Sequence, residues 1–210
     1  MDIIKALNWR YATKKFDSEA VISDEKIDLL KTAFNLTASS YGLQPVKMLI
    51  VSDKSTLNAL VPLSSNQKQV GQASHLCVFC VKTTIDEAYI RAFFDRIIAT
   101  NNTPDDVLSP FRSSVISSFA SKSDDDIFKW GAKQAYLAIG NMLTVCATQG
   151  IDACPMEGFD PEQYDRFFKL NEKGLRSVLV MPIGYRAEDD MFASMKKVRK
   201  PLTDSIIEIK

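Results

Sequence analysis

The segment from Asp124 to Gln149 limits the possible folds more than any other part of the chain. It opens on three consecutive acids, which suit a helix N-terminus, and it meets Gly150 where helices commonly end. One long helix is the expectation. Within it, "AYLAIGNMLTVCA" is apolar on nearly every side. Its 13 residues are too few to cross a bilayer, so the helix must be buried in protein, with a subunit interface as one way to cover it.

The rest of the chain reads as mixed α/β. "SDEKIDLLKTAF", from Ser23, has an N-cap residue, acids in its first turn, and Ile27, Leu29, Leu30 and Phe34 near helical spacing, so it is expected to be a helix. "VKMLIVSD", "HLCVFCVKT" and "RSVLVMPIGY" are short apolar runs rich in Val and Ile, and they are expected to be central strands. The stretch 100 to 123 mixes Pro, Ser and Asn with scattered apolar residues. It reads as a substrate-facing lid or as an ordinary surface excursion, with the second favoured. No repeat, low-complexity run or linker marks a boundary, so residues 1 to 210 are read as a single domain, long enough to bury a substantial core.

Composition removes several classes of function. Lys plus Arg total 26 and Asp plus Glu total 26, so there is no broad field to gather nucleic acid or an anionic membrane. The opening residues "MDIIKALNWRYATKK" carry Asp2 at once and read as neither secretory signal nor anchor, which makes the cytoplasm the expected location. Cys77, Cys80, Cys146 and Cys154 sit in apolar segments and suit buried, reduced thiols. The "CVFC" spacing admits a redox reading, but it lies inside a strand-like run and not at a helix start, where a thiolate would be stabilised. His75 is the only histidine, so multi-histidine metal sites are excluded, and a structural role is favoured for it. The eight glycines form neither a dinucleotide fingerprint nor a triphosphate loop, so any phosphate must be held by side chains. Arg10, Lys14 and Lys15 form one basic cluster, and Lys196, Lys197, Arg199 and Lys200 form another. Composition leaves each open between a solvated face and half of an anion site.

Six pieces of the chain, in order, carry a resemblance. They are "RYATKKFD" at 10 to 17, "SSYGLQP" at 39 to 45, "NQKQV" at 66 to 70, "KQAYLAIGN" at 133 to 141, "GIDACPMEGFD" at 150 to 160 and "KKVRKP" at 196 to 201. Together they resemble the FMN-dependent nitroreductase family, in particular its oxygen-insensitive nitroreductase and dihydropteridine reductase branch, over nearly the whole chain. The resemblance implies an α+β fold, with a central, mainly antiparallel sheet flanked by helices, and an intertwined homodimer holding FMN at the subunit interface. It implies a flavin oxidoreductase with NADH or NADPH as donor. Hydride would pass to FMN N5 and then, as a two-electron reduction, to nitroaromatic, quinone or related small aromatic acceptors. A flavin-binding protein with little turnover is the alternative.

Carried over by position, the resemblance implies Arg10, Lys197 and Arg199 on the FMN phosphate, and Lys14 near the pyrimidine edge of the ring. Asn66 and Gln69 would approach the ring or its ribityl chain, and Ser39 and Ser40 would reach in from the neighbouring subunit. Tyr11, Ala12, Gly42, Pro155 and Met156 complete the implied cofactor contacts. Glu157 and Gly158 would run beside the flavin, with a backbone amide directed at N5, Gly158 permitting the close approach and the Glu157 carboxylate helping to place the nicotinamide. With Lys14, these two form the implied catalytic set. The chain also departs from the family pattern, with Ala12 where relatives often have Ser, Gly42 where they often have Asn, and Gln69 where some have Lys. The first two changes remove hydrogen bonds to FMN worth about 0.5 to 1.5 kcal/mol each.

Overall fold

The structure is a computed structural model that describes residues 2 to 210. In chain order its helices and strands are α1 (Ile3–Trp9), α2 (Asp24–Asn35), β1 (Val46–Val51), α3 (Lys54–Leu60), α4 (Gln69–Gln72), β2 (His75–Lys82), α5 (Glu87–Asn101), α6 (Asp105–Ala120), α7 (Asp124–Thr148), β3 (Asp152–Ala153), α8 (Pro161–Phe167), β4 (Leu175–Gly184) and α9 (Leu202–Ser205). The strands make one sheet in the order β1-β2-β4-β3, with every pairing antiparallel. This is the α+β architecture that the resemblance implied. Within one chain β2 and β4 are central, whereas β1, expected to be central, is an edge strand.

Strict alternation along β2 builds a core on each face of the sheet. Cys77, Phe79 and Val81 pack with Ile27 and Leu30 of α2 and with Ala135, Ala138 and Met142 of α7. Leu76, Val78 and Cys80 point the other way, toward Leu57, Leu60, Val70 and Tyr164. Cys77 and Cys80 therefore occupy opposite cores and cannot pair with each other, which removes the redox reading of their spacing. Of the apolar residues at helical spacing in α2, Ile27 and Leu30 are buried and Phe34 packs on the ring of Phe79, whereas Leu29 is 38% exposed on the outer side of the helix.

The long helix α7 is set by its ends. Ser123 and Asp126 form a reciprocal capping box, and Gly150 follows the C-cap in the left-handed region at φ +66°. It packs across the sheet on its buried face. Tyr136 and Leu137, at 47% and 56% exposure, point outward. Among the described residues, no helix is long and apolar enough to cross a membrane.

The stretch 100 to 123 holds a 16-residue helix, α6, which the sequence reading missed. Pro110 lies inside it and has no N–H for the carbonyl of Asp106. The Ser109 hydroxyl donates to that carbonyl instead, at 3.3 Å. α6 joins α5 around Phe94, Val115 and Phe119, a third core that also takes in Ile127 of α7.

Candidate functional site

Cations from two distant parts of the chain converge where it leaves α1. Arg10 caps that helix and begins an extended segment that bridges alongside the sheet, with Ala12 opposite Ala153 and Phe16 opposite Arg186. The segment is held by Asp190, whose carboxylate accepts from the Tyr11 hydroxyl at 2.9 Å and from the amides of Lys14 and Lys15 at 3.0 and 3.2 Å. The C-terminal segment is drawn against it, because the Lys197 ammonium donates to the carbonyls of Leu7 and Arg10. The result is a cavity of about 390 Å³ lined by Arg10, Tyr11, Ala12, Lys14, Lys197 and Arg199. All three residues expected on a phosphate thus share one cavity, although 187 positions separate Arg10 from Lys197.

The charge in this cavity is uncompensated. Arg10, Lys14, Lys197 and Arg199 form no ion pair with any carboxylate among the described residues. The Nε of Arg10 is buried without a hydrogen-bond partner. Burial and then the neighbouring Arg199 push the Arg10 guanidinium down from its ordinary value, and burial, Arg10 and Arg199 do the same to Lys197. Like charges gathered in a cleft with an orphaned guanidinium donor are arranged for a multivalent anion.

The segment 154 to 158 lies next to this cavity. Cys154 donates its amide to the Pro182 carbonyl at 3.1 Å, and Met156 exchanges backbone bonds with Val180 at 2.8 and 3.1 Å. Beyond Met156 the chain leaves the sheet, and the amides of Glu157 and Gly158 have no acceptor among the described residues. The Gly158 carbonyl accepts from Gln67 Nε2 at 2.8 Å, and a Cβ at this position would lie 2.8 Å from that same nitrogen, the end of a flexible side chain that would have to swing aside. Gln69 Nε2 in turn donates to Gln67 Oε1 at 3.0 Å and lies 3.9 Å from Met156 Sδ. Gln67 is thus a positioning residue that the sequence reading passed over, although it stands inside the "NQKQV" piece. Asn66 is exposed with φ +57°, and its amide donates to the Val61 carbonyl.

Glu157, Pro155 and Met156 line a second cavity, of about 450 Å³, together with Tyr136 of α7. The Tyr136 hydroxyl donates to Glu157 Oε1. Ser39 lines a third, of about 200 Å³, with Gln134 and Ala138. Ser40 donates its amide to Gln134 Oε1 at 2.8 Å, and the Ser39 hydroxyl accepts from the Gln44 amide at 2.9 Å. One chain therefore brings together the residues around Arg10 and those around Glu157, but seats Ser39 in a different cavity, with Ser40 beside it. Phe119 is buried against Trp130, whereas Phe111 is 48% exposed beside Tyr41.

Comparison with known proteins agrees with this fold. A family model described as the nitroreductase family matches residues 7–185. The chain is 33% identical over 217 residues to the oxygen-insensitive NAD(P)H nitroreductase of Salmonella typhimurium, covering 100% of both. It is 32% identical over 218 residues to the enzyme of the same name from Enterobacter cloacae, covering 99% of this chain and 100% of that one. A nitroreductase-like protein from Streptococcus mutans superposes with a TM-score of 0.86 at 20% identity, over 100% of this chain and 98% of that one. A protein of Exiguobacterium sibiricum solved in complex with FMN does so with a TM-score of 0.85 at 19% identity, over 100% and 98%. At those identities the structural matches establish the fold.

Proposed function

The chain belongs to the nitroreductase family, and on that premise we propose an FMN-dependent NAD(P)H oxidoreductase whose Arg10 cavity receives the FMN phosphate. The observation that carries this reading is the buried, unpartnered Nε of Arg10 among cations that no carboxylate neutralises. A phosphomonoester dianion would complete its hydrogen bonding and relieve the repulsion among Arg10, Lys197 and Arg199. The residues present fit the group.

When bound, FMN supplies the two-electron chemistry, with hydride in from NAD(P)H and out to a flat acceptor such as a quinone or a nitroaromatic. The chain's own groups bind and orient. Lys14 sets a cation at the border between the phosphate cavity and the 154 to 158 segment, suited to the pyrimidine edge. The free amides of Glu157 and Gly158 supply donors for the reacting edge of the ring, held in place by Met156 on β4 and by Gln67. No side chain need carry a proton for hydride transfer, which accords with a site that lacks histidine. His75 is instead engaged with the Ser74 hydroxyl at 2.8 Å.

A homodimer belongs to the same proposal. Ser39 lies in a different cavity from Arg10, Ser40 is bonded to Gln134 beside it, and Tyr136 and Leu137 of α7 are exposed. In this reading a second copy covers α7, and its Ser39, Ser40 and Gly42 complete the cofactor site.

The test is spectroscopic. Protein reconstituted with FMN should show a flavin band that bleaches on anaerobic addition of NADH or NADPH and returns when menadione is added. Failure to retain FMN would overturn the proposal. A band that survives both nicotinamides would leave a flavin-binding protein without turnover.

A further inference from the structure

Arg10 lines the phosphate cavity, yet little on its own side chain holds it there. Its guanidinium forms no ion pair among the described residues, its buried Nε has no partner, and Lys197 and Arg199 repel it. The direction of the side chain therefore depends on how its backbone is held. The far end of the segment is secured by main-chain bonds, from the Asp17 amide to the Tyr185 carbonyl at 2.9 Å and from the Ala187 amide to the Lys15 carbonyl at 3.0 Å. Asp190 holds the middle. At the near end Lys197 grips the Arg10 carbonyl, but Lys197 is itself one of the repelling cations.

A second device acts there through the two sequence neighbours of Arg10. Cζ of Arg186 lies 4.2 Å from the centroid of the Trp9 ring and 4.6 Å from that of the Tyr11 ring, so one guanidinium engages the residues before and after Arg10. Arg186 is itself fixed by Asp152. Its Nε donates to the two carboxylate oxygens at 3.0 and 3.1 Å, its Nη2 to Oδ1 at 2.6 Å and its amide to Oδ2 at 2.9 Å. Asp152 is 3% exposed and also accepts from the Thr13 hydroxyl at 3.4 Å. Tyr11 and Thr13 thus meet the Arg186–Asp152 pair from one side of the extended chain, and alternation places Arg10 and Ala12 on the other. Because the two charges of the pair cancel, Arg186 contributes geometry to the cavity and not net charge. It stands just past the residues matched by the family model and outside all six pieces that carry the resemblance.

We propose that Arg186 is a positioning residue for the cofactor phosphate, which by engaging Trp9 and Tyr11 fixes the backbone between them and aims the Arg10 guanidinium into the cavity. The inference rests on the reading of that cavity as the FMN phosphate site. It predicts a loss confined to ligands that carry a phosphate.

The experiment uses two variants. Arg186→Lys keeps the positive charge beside Asp152 but cannot offer a planar guanidinium to two rings. Trp9→Leu removes one ring and leaves the buried pair intact, so it decides the matter if Arg186→Lys fails to fold. Cofactor-free protein is titrated with FMN and with riboflavin by flavin fluorescence, and its melting temperature is measured with and without inorganic phosphate. In each variant the Kd for FMN should rise by about tenfold, the scale of a cation–π contact shielded from water. The rise in melting temperature that phosphate produces should shrink, and the Kd for riboflavin should match that of the parent protein. Equal losses for FMN and riboflavin would overturn the inference, because they would show a general structural role. Unchanged FMN affinity or an unchanged phosphate effect in Arg186→Lys would overturn it as well. A parent protein that binds FMN no more tightly than riboflavin and gains nothing from phosphate would refute the cavity reading, which is a separate result from a discriminating parent with indifferent variants.

Discussion

The ammonium of Lys14 lies 3.8 Å from the thiol of Cys154. A cation that close favours thiolate, but burial acts more strongly and the thiol is pushed up from its ordinary value on balance. Cys154 therefore faces Lys14 as a neutral, polarisable group that leaves the positive charge available to a ligand.

The other cysteines are sealed more completely. Burial pushes Cys80 and Cys146 up to about 12 and moves Cys77 in the same direction. All four should resist a thiol reagent such as DTNB in native protein at neutral pH, and all should react once guanidinium unfolds the chain. Rapid native labelling at Cys154 would mean that Lys14 outweighs burial and that the thiol is ionised.

Removing one cation from the phosphate cavity should separate binding from folding. Arg199→Ala takes away a donor to the ligand and also relieves the repulsion that lowers Arg10 and Lys197. The FMN dissociation constant should rise by about 10- to 100-fold, the scale of a charge-assisted hydrogen bond. The melting temperature of the cofactor-free variant should equal or exceed that of the parent. FMN titration and thermal unfolding on one preparation check both parts, and unchanged FMN affinity would remove Arg199 from the site.

Much of this was legible in the sequence, and the physical reasons differ by element. α7 and the strands announced themselves through caps and apolar runs, which are local signals. α6 did not, because Pro110 and its serines read as loop, and the Ser109 bond that rescues the helix is visible only in three dimensions. The two basic clusters were visible as residues but not as a pair, since composition cannot bring together groups nearly a chain length apart. The resemblance supplied that convergence. It did not supply Gln67, Tyr136 or Asp190, each of which acts through side-chain bonds to a distant segment.

Asp190 should make the phosphate cavity acid-sensitive. Burial pushes its carboxyl up, but the amides of Lys14, Phe192 and Lys15 and the Tyr11 hydroxyl together outweigh burial and hold it below the usual carboxylate range. A depressed folded value stabilises the native state fully above the unfolded value of about 4, and the contribution is lost as pH falls through the lower folded value. Asp190→Asn should cost about 1 to 3 kcal/mol at pH 7, because amide and hydroxyl donors lose a charged acceptor. The gap between parent and variant should begin to narrow near about pH 4 and close as pH falls through the lower folded value, which urea unfolding across that range would measure. A gap that stays constant from about pH 7 down to acid unfolding would show that shape, not charge, is what Asp190 contributes.

Gly42 stands where the resemblance places asparagine, and the structure gives a steric reason for the departure. The residue has φ +74°, and a Cβ there would lie 2.8 Å from Cζ of Phe93, a half-buried ring that packs beside the α5–α6 core. Asparagine tolerates the left-handed region better than most residues, so the conflict lies mainly with the ring. Gly42→Asn alone should therefore destabilise the fold by about 1 to 3 kcal/mol, the usual range for overpacking. Combining it with Phe93→Leu should recover part of that loss by removing the ring edge, and the cycle should be non-additive because the two positions touch. Urea unfolding of the two single variants and the pair measures the coupling. An additive result would mean that the ring swings aside at no cost, and that Gly42 owes its presence to backbone conformation alone.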